Sequence, residues 1–265
     1  MDLKTKYIMG LNVRYLETRG QSEIPLIILH GWGGSIDSWT NVASALEEGG
    51  MKVFIPDLPG FGETPEPPHA WGCAEYLDFI KALARELGIT KFVLAGHSFG
   101  GQIAITYAAK YPGDLQKLIL MAAARIIKRK RLKVRVFLLA TKIGNLIFSL
   151  LPLVLLRPLV RKIWYKLSGE HDYYRASPLM KETMRLVLGD DVAPKLGKIQ
   201  TPTLILWGDS DVLTPLEDAR IIHDKISDSK LYIFTGVGHD LNFKKPREIA
   251  QKVVEFITHP NPSLP

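Results

Sequence analysis

The chain has 265 residues, 46% of them hydrophobic, enough to bury one substantial core either as one domain with an insertion or as two domains. Its formal net charge of +7 is concentrated between Arg125 and Lys166, a segment rich in Lys and Arg with no Asp or Glu; the rest of the chain is net negative, which excludes a basic groove spread over the whole protein. The single cysteine, Cys73, cannot form an internal disulfide, and the N-terminal MDLKTKYIMGLNVRYLETRG lacks an uninterrupted apolar run, so a cytoplasmic protein without a secretory signal is expected.

Tyr7 to Met9 and Asn12 to Glu17, separated at Gly10, read as two short antiparallel strands at a sheet edge. Pro25 then opens the apolar run LIIL, suited to a strand covered on both faces and ending in the glycine-rich loop His30-Gly31-Trp32-Gly33-Gly34-Ser35. Ser38 to Leu46 has helical spacing and stops at Gly49-Gly50. Lys52 to Pro56 reads as a strand, followed by DLPGFG and a proline-rich loop; Cys73 to Leu87 reads as a helix closed by Gly88. Lys91 to Ala95 is a further strand, Gln102 to Lys110 a helix, and Leu118 to Ala122 another strand. This alternation implies a parallel sheet with right-handed crossovers and helices on both faces. From Arg125 to about Gly197 the pattern turns helical with no clear strand; strands return at Pro202 to Trp207 and Leu231 to Phe234, and a helix over about Arg247 to Ile257 precedes a frayed tail.

Ser98 lies in Gly96-His97-Ser98-Phe99-Gly100, at the corner between the Phe92 strand and the following helix. Glycine on both sides removes the Cβ atoms that would collide in so tight a turn, and the helix start directs free N–H groups toward an oxyanion formed beside the serine. A serine is a weak nucleophile at neutral pH and needs a base held by a third group. Gly208-Asp209-Ser210-Asp211 follows one later strand and Gly236-Val237-Gly238-His239 the next. Loops after parallel strands gather on one sheet edge, so Ser98, an aspartate and His239 can meet there. His69, His171, His223 and His259 show no ligand-like spacing, so neither a metal nor a cofactor is expected. The glycine loops fit neither G-x-G-x-x-G nor a P-loop.

The motifs HGWGGS, DLPGFGET, GHSFGG, WGDSDVLTP and GVGHDLNFKKP together resemble the α/β-hydrolase fold family. The resemblance implies a mostly parallel eight-stranded sheet with helices on both faces, a core domain over 1–124 and 198–265, and an α-helical cap over 125–197. It implies Ser98 as nucleophile, His239 as general base and then acid, and Asp211 as the orienting carboxylate, with Asp209 as its rival; Asp211 stands three residues after Gly208 and four before Pro215, as in the family pattern. Backbone N–H groups of Trp32 and Phe99 are the implied oxyanion hole, worth about 3 kcal/mol per donor, and His30 and His97 are supporting residues. Serine at position 98 departs from the aspartate of haloalkane dehalogenases and epoxide hydrolases and the cysteine of dienelactone hydrolases. Gln102 stands where the menaquinone-pathway synthase of this fold has arginine, and the first half of the cap lacks the acidic groups of proline iminopeptidases.

The expected activity is cleavage of carboxylic esters with short- to medium-chain acyl groups through an acyl-enzyme; a lactonase or monoacylglycerol lipase of the same fold, and a ligand receptor of weak catalytic power, are the alternatives. The expected partner is a small-molecule ester with an apolar acyl chain. In the cap, VFLLA and LIFSLLPLVLL alternate with basic residues, which either solubilise an apolar lid or associate weakly with anionic lipid. Pro152 and the short length of Ile143 to Leu156 argue against a membrane span, and KRKRLK lacks a nucleic-acid recognition motif.

Overall fold

Leu26–Leu29 (β3) and Val53–Pro56 (β4) are buried at every position, because each runs through the sheet interior with both faces covered. The structure, a computed structural model, describes residues 1–123 and 176–258. Its remaining strands are β1 (Asp2–Ile8), β2 (Leu11–Glu17), β5 (Phe92–His97), β6 (Leu115–Met121), β7 (Thr203–Gly208) and β8 (Ser229–Phe234). They form one eight-stranded sheet in the order β1-β2-β4-β3-β5-β6-β7-β8. β1 and β2 pair antiparallel, as do β2 and β4, and every other neighbouring pair is parallel. The chain leaves β3 for β4 on one side and returns to β5 on the other, so the strand order reverses between β3 and β5. That switch point opens a crevice at their carboxyl ends, where the HGWGGS loop and Ser98 both emerge.

Helices α1 (Thr40–Glu48), α2 (Cys73–Glu86) and α3 (Phe99–Lys110) make the first crossovers. Right-handed connections put α1 on one face and α2 and α3 on the other. The last helix, α8 (Pro246–Thr258), packs beside α1. The buried rings of Trp39, Tyr76, Phe79, Phe92, Tyr107, Trp207 and Phe234 fill the layers between helices and sheet. Cys73, at the first position of α2, is buried, and α1 follows a short 3-10 turn over Ile36–Trp39.

Several elements differ from their expected bounds. β1 begins at Asp2, five residues early, because it is an exposed edge strand whose residues show no apolar alternation. β5 runs on through His97 and α3 starts at Phe99, so the turn at Ser98 occupies a single residue. β6 starts at Leu115, three residues earlier than expected. Two helices have no counterpart among the expected elements: α6 (Leu216–Lys225), which buries only Asp218, Ala219 and Ile222, and the single turn α7 (Leu241–Lys244).

Residues 176–197 of the expected insertion form α4 (Pro178–Gly189) and α5 (Ala193–Leu196). The basic run, the apolar stretches up to Arg175, His171, His259 and the C-terminal tail lie outside the described residues. Ser177 caps α4 by accepting the Met180 N–H at 3.1 Å, with proline at the first helical position. α4 rests directly on α3: buried Gln102 donates from Nε2 to the carbonyls of Val187 (2.6 Å) and Asp190 (3.0 Å). Thr183 Oγ1 accepts the Trp71 N–H at 3.0 Å and ties α4 to the entry of α2. Gln102 is thus a tether for the residues above the site.

Candidate active site

Ser98 adopts φ 50° and ψ −113°, a left-handed conformation that costs a non-glycine residue about 1–3 kcal/mol and is held only by its surroundings. Its N–H donates to Met121 O at 3.0 Å, and its carbonyl accepts the Gln102 N–H at 3.1 Å as the first bond of α3. A Cβ on Gly96 would lie 2.3 Å from Gly100 O, and one on Gly100 would lie 2.4 Å from Leu29 O. Only glycine lets α3 descend this closely onto β3 and β5, and the corner leaves the N–H groups of the first turn without intrahelical partners. Phe99 is the first of those donors. Gly31 faces the serine, for a Cβ there would meet Ser98 Cβ at 3.3 Å, and Trp32 follows in the same turn. The Trp32 ring meets Phe99 edge-on at 5.3 Å and Phe61 at 4.9 Å.

Asp211 and His239 come together from the loops after β7 and β8. His239 Nδ1–H donates to Asp211 Oδ2 at 2.8 Å, which assigns the proton to Nδ1 and leaves Nε2 as the basic nitrogen. Asp211 Oδ1 accepts the backbone N–H groups of Leu213 (2.8 Å) and Thr214 (2.9 Å), and the Thr214 hydroxyl donates to Oδ2 at 2.7 Å. Burial pushes the Asp211 carboxyl up, but the bonds and charge of His239, with the two donors of Thr214, outweigh it and hold the group below its usual value. Gly208 lets the two loops touch, since a Cβ there would fall 2.1 Å from Val237 O. Asp209 is exposed and braces the neighbouring turn instead, its Oδ1 accepting the Gly236 N–H at 2.8 Å and the Ser210 hydroxyl at 2.9 Å.

Thr214 carries no signal in the sequence beyond its place three residues after Asp211. Its Oγ1 also lies 3.2 Å from His239 Nδ1 and 3.3 Å from Ala122 O at the end of β6, and its carbonyl accepts Trp207 Nε1–H at 2.8 Å. One buried hydroxyl therefore lies against Asp211, His239 and the strand beside Ser98. His97 braces His239: its Nε2–H donates to His239 O at 3.0 Å, with the ring centroids 4.8 Å apart. Burial, reinforced by the neighbouring His239, pushes the His97 imidazole down to about 3, so it is a neutral support.

His30 and Asp57 shape the opposite wall. His30 donates from Nδ1 to Gly31 O (2.8 Å) and accepts Leu58 N–H at Nε2 (3.0 Å); its complete burial lowers its pKa. Asp57 accepts Ile36 N–H at Oδ1 (2.7 Å) and Glu63 N–H at Oδ2 (2.9 Å), and burial raises its pKa against the pull of these bonds. Gly62, at φ +57°, makes room, because a Cβ there would come within 2.2 Å of the Asp57 carboxyl. The two glycine-rich loops are therefore fixed to each other before any ligand arrives. Among the described residues, no group of three His, Cys, Asp or Glu side chains is placed to hold a metal ion.

A model of the alpha/beta hydrolase fold matches residues 24–143. The chain has the α/β-hydrolase fold. Lipase 1 of Psychrobacter immobilis is 26% identical over 243 residues, covering 87% of this chain and 75% of that protein. The 2-hydroxy-6-oxo-6-phenylhexa-2,4-dienoate hydrolase of Comamonas testosteroni is 25% identical over 274 residues, covering 96% and 94%. The crystal structure of a putative lipase from Acinetobacter baumannii superposes with a TM-score of 0.75 at 25% identity, over 97% of this chain and 90% of that one. No helix among the described residues is long and apolar enough to cross a membrane.

Proposed function

We propose that the chain is a serine hydrolase that cleaves carboxylic esters with short- to medium-chain acyl groups. The observation that carries this reading is the 2.8 Å Asp211–His239 hydrogen bond, formed on the same sheet edge as a serine held at φ 50°. His239 Nε2 takes the Ser98 hydroxyl proton as Oγ bonds to the ester carbonyl carbon, and Asp211 stabilises the imidazolium. The negative charge moves to the carbonyl oxygen, where the N–H groups of Trp32 and Phe99 receive it. As the tetrahedral intermediate collapses, His239 returns the proton to the departing alcohol, leaving the acyl group on Ser98. Water then gives a proton to His239 while its oxygen bonds to the acyl carbon; as the second tetrahedral intermediate collapses, the bond from that carbon to Ser98 Oγ breaks, His239 returns the proton to Oγ, and the acid leaves.

The similarity to a lipase supports an ester substrate, and the similarity to a dienoate hydrolase makes that dienoate a comparison compound. Residues 125–197 are proposed to be a helical cap, supported at its C-terminal end by the seating of α4 on Gln102. The test is a series of p-nitrophenyl esters of increasing chain length, with the dienoate alongside and Ser98→Ala as control. The proposal expects Ser98-dependent ester turnover that peaks at a short or medium chain. Equal, slow hydrolysis of every compound by wild type and Ser98→Ala removes the enzymatic reading and favours a ligand receptor.

A further inference from the structure

A cavity of about 270 Å³ lies between the Trp32 turn, the Gly60–Phe61 stretch and the beginning of α4. Its apolar walls are Trp32, Phe61, Ala176 and Met180. Met180 is buried over Gly60, which sits at φ +89°; a Cβ there would come within 2.4 Å of the Met180 sulfur, so a flexible thioether fills the space above the turn. Among the described residues, one charged side chain, Glu66, lines this cavity. The Ser177 hydroxyl donates to Glu66 Oε2 at 3.0 Å while accepting Met180 N–H at 3.1 Å, so the residue that caps α4 also orients the carboxylate. On its other side the Trp32 ring meets Phe99, the residue after Ser98. The Trp32 ring is therefore shared between the cavity and the residue next to Ser98.

We infer that this cavity receives one end of the ester and that Glu66 disfavours anionic groups in it, which makes neutral or cationic esters the preferred substrates. The inference rests on the proposed esterase reading. The lining supplies dispersion contacts and desolvation for a short apolar group, while a second carboxylate in the same space would face the fixed charge of Glu66. Glu66 is solvent-exposed, so the repulsion is near the water-like end of the range for charges about 4 Å apart, a discrimination of about five- to tenfold that shrinks with added salt.

The experiment compares kcat/KM for two matched pairs of esters. One pair differs by a carboxylate at the acyl end, p-nitrophenyl butyrate against p-nitrophenyl hemisuccinate; the other differs by a carboxylate at the alcohol end, propyl butyrate against the butyrate ester of 3-hydroxypropanoate. In wild type, at least one pair is expected to favour the neutral ester by about fivefold beyond its ratio in Glu66→Gln. That ratio should fall further in Glu66→Lys, in favour of the anion, and the wild-type preference should weaken in high salt. Ser98-dependent hydrolysis with both ratios unaffected by the two substitutions overturns this inference alone. No Ser98-dependent hydrolysis of either neutral ester overturns the esterase reading and this inference with it.

Discussion

Replacing Thr214 with Val keeps the shape of a buried side chain and removes the hydroxyl that joins Asp211, His239 and the end of β6. The lost bond to the Asp211 carboxylate is 2.7 Å long and buried, and hydrogen bonds to charged groups contribute about 1.5–3 kcal/mol. A destabilisation of that size is expected in urea unfolding at neutral pH, together with about a tenfold loss of kcat and little change in KM, because Thr214 holds the acid and base. The pH dependence separates this role from simple packing. The folded Asp211 carboxyl is held below its usual value, so its stabilisation is present above the unfolded pKa of about 4 and is lost as pH falls through the folded value. The stability gap between wild type and Thr214→Val should therefore be widest at neutral pH and narrow in acid, and Thr214→Ser should restore most of both losses. An equal gap at neutral and acid pH, with unchanged turnover, would rule out this role for Thr214.

Asp211→Asn should reduce turnover about a thousandfold or more, since an amide presents the wrong partner to the Nδ1–H tautomer, whereas Asp209→Asn should stay within a few-fold because its amide oxygen can still accept the Gly236 N–H; the opposite ranking in steady-state assays would transfer the role. Buried His30 and His97 have lowered pKa values, so in the unfolded chain they bind protons below about 6.5 that the folded chain refuses. Their contribution is intact above that pH and lost on acidification by up to about 1.4 kcal/mol per pH unit for each; urea midpoints between pH 7 and 5 should fall less steeply for His97→Gln than for wild type, and equal slopes would count against a neutral buried His97. The Cys73 thiol, raised to about 12 by burial and then by nearby Asp190, should resist a thiol-selective disulfide reagent at pH 8 until the protein is unfolded, and rapid labelling of the native protein would contradict its placement.

The parts of the fold legible in the sequence are those where burial or backbone geometry leaves few residue choices. LIIL matched β3 residue for residue because a strand covered on both faces admits only apolar side chains. Gly96 and Gly100 marked the elbow because a Cβ at either would strike backbone atoms. Asp211 stood out from Asp209 through its distance to Pro215, and the two carboxylates proved to serve different neighbours. β1 and α6 were harder to read because neither buries a continuous apolar face. The supporting place expected for His97 beside the elbow gains a specific partner in His239 O, whereas the roles of Thr214, Asp57 and Gln102 also depend on partners 25, 21 and 88 residues away, contacts that no local pattern encodes.

Ser98 is the proposed nucleophile, activated by His239 and Asp211. Intact-protein and peptide mass spectrometry after brief treatment with an alkyl fluorophosphonate tests it most directly. One phosphonyl group per chain is expected on the peptide containing Ser98, none in Ser98→Ala, and much slower labelling in Asp211→Asn. Labelling at another residue, or at Ser98 with an unchanged rate in Asp211→Asn, would contradict it.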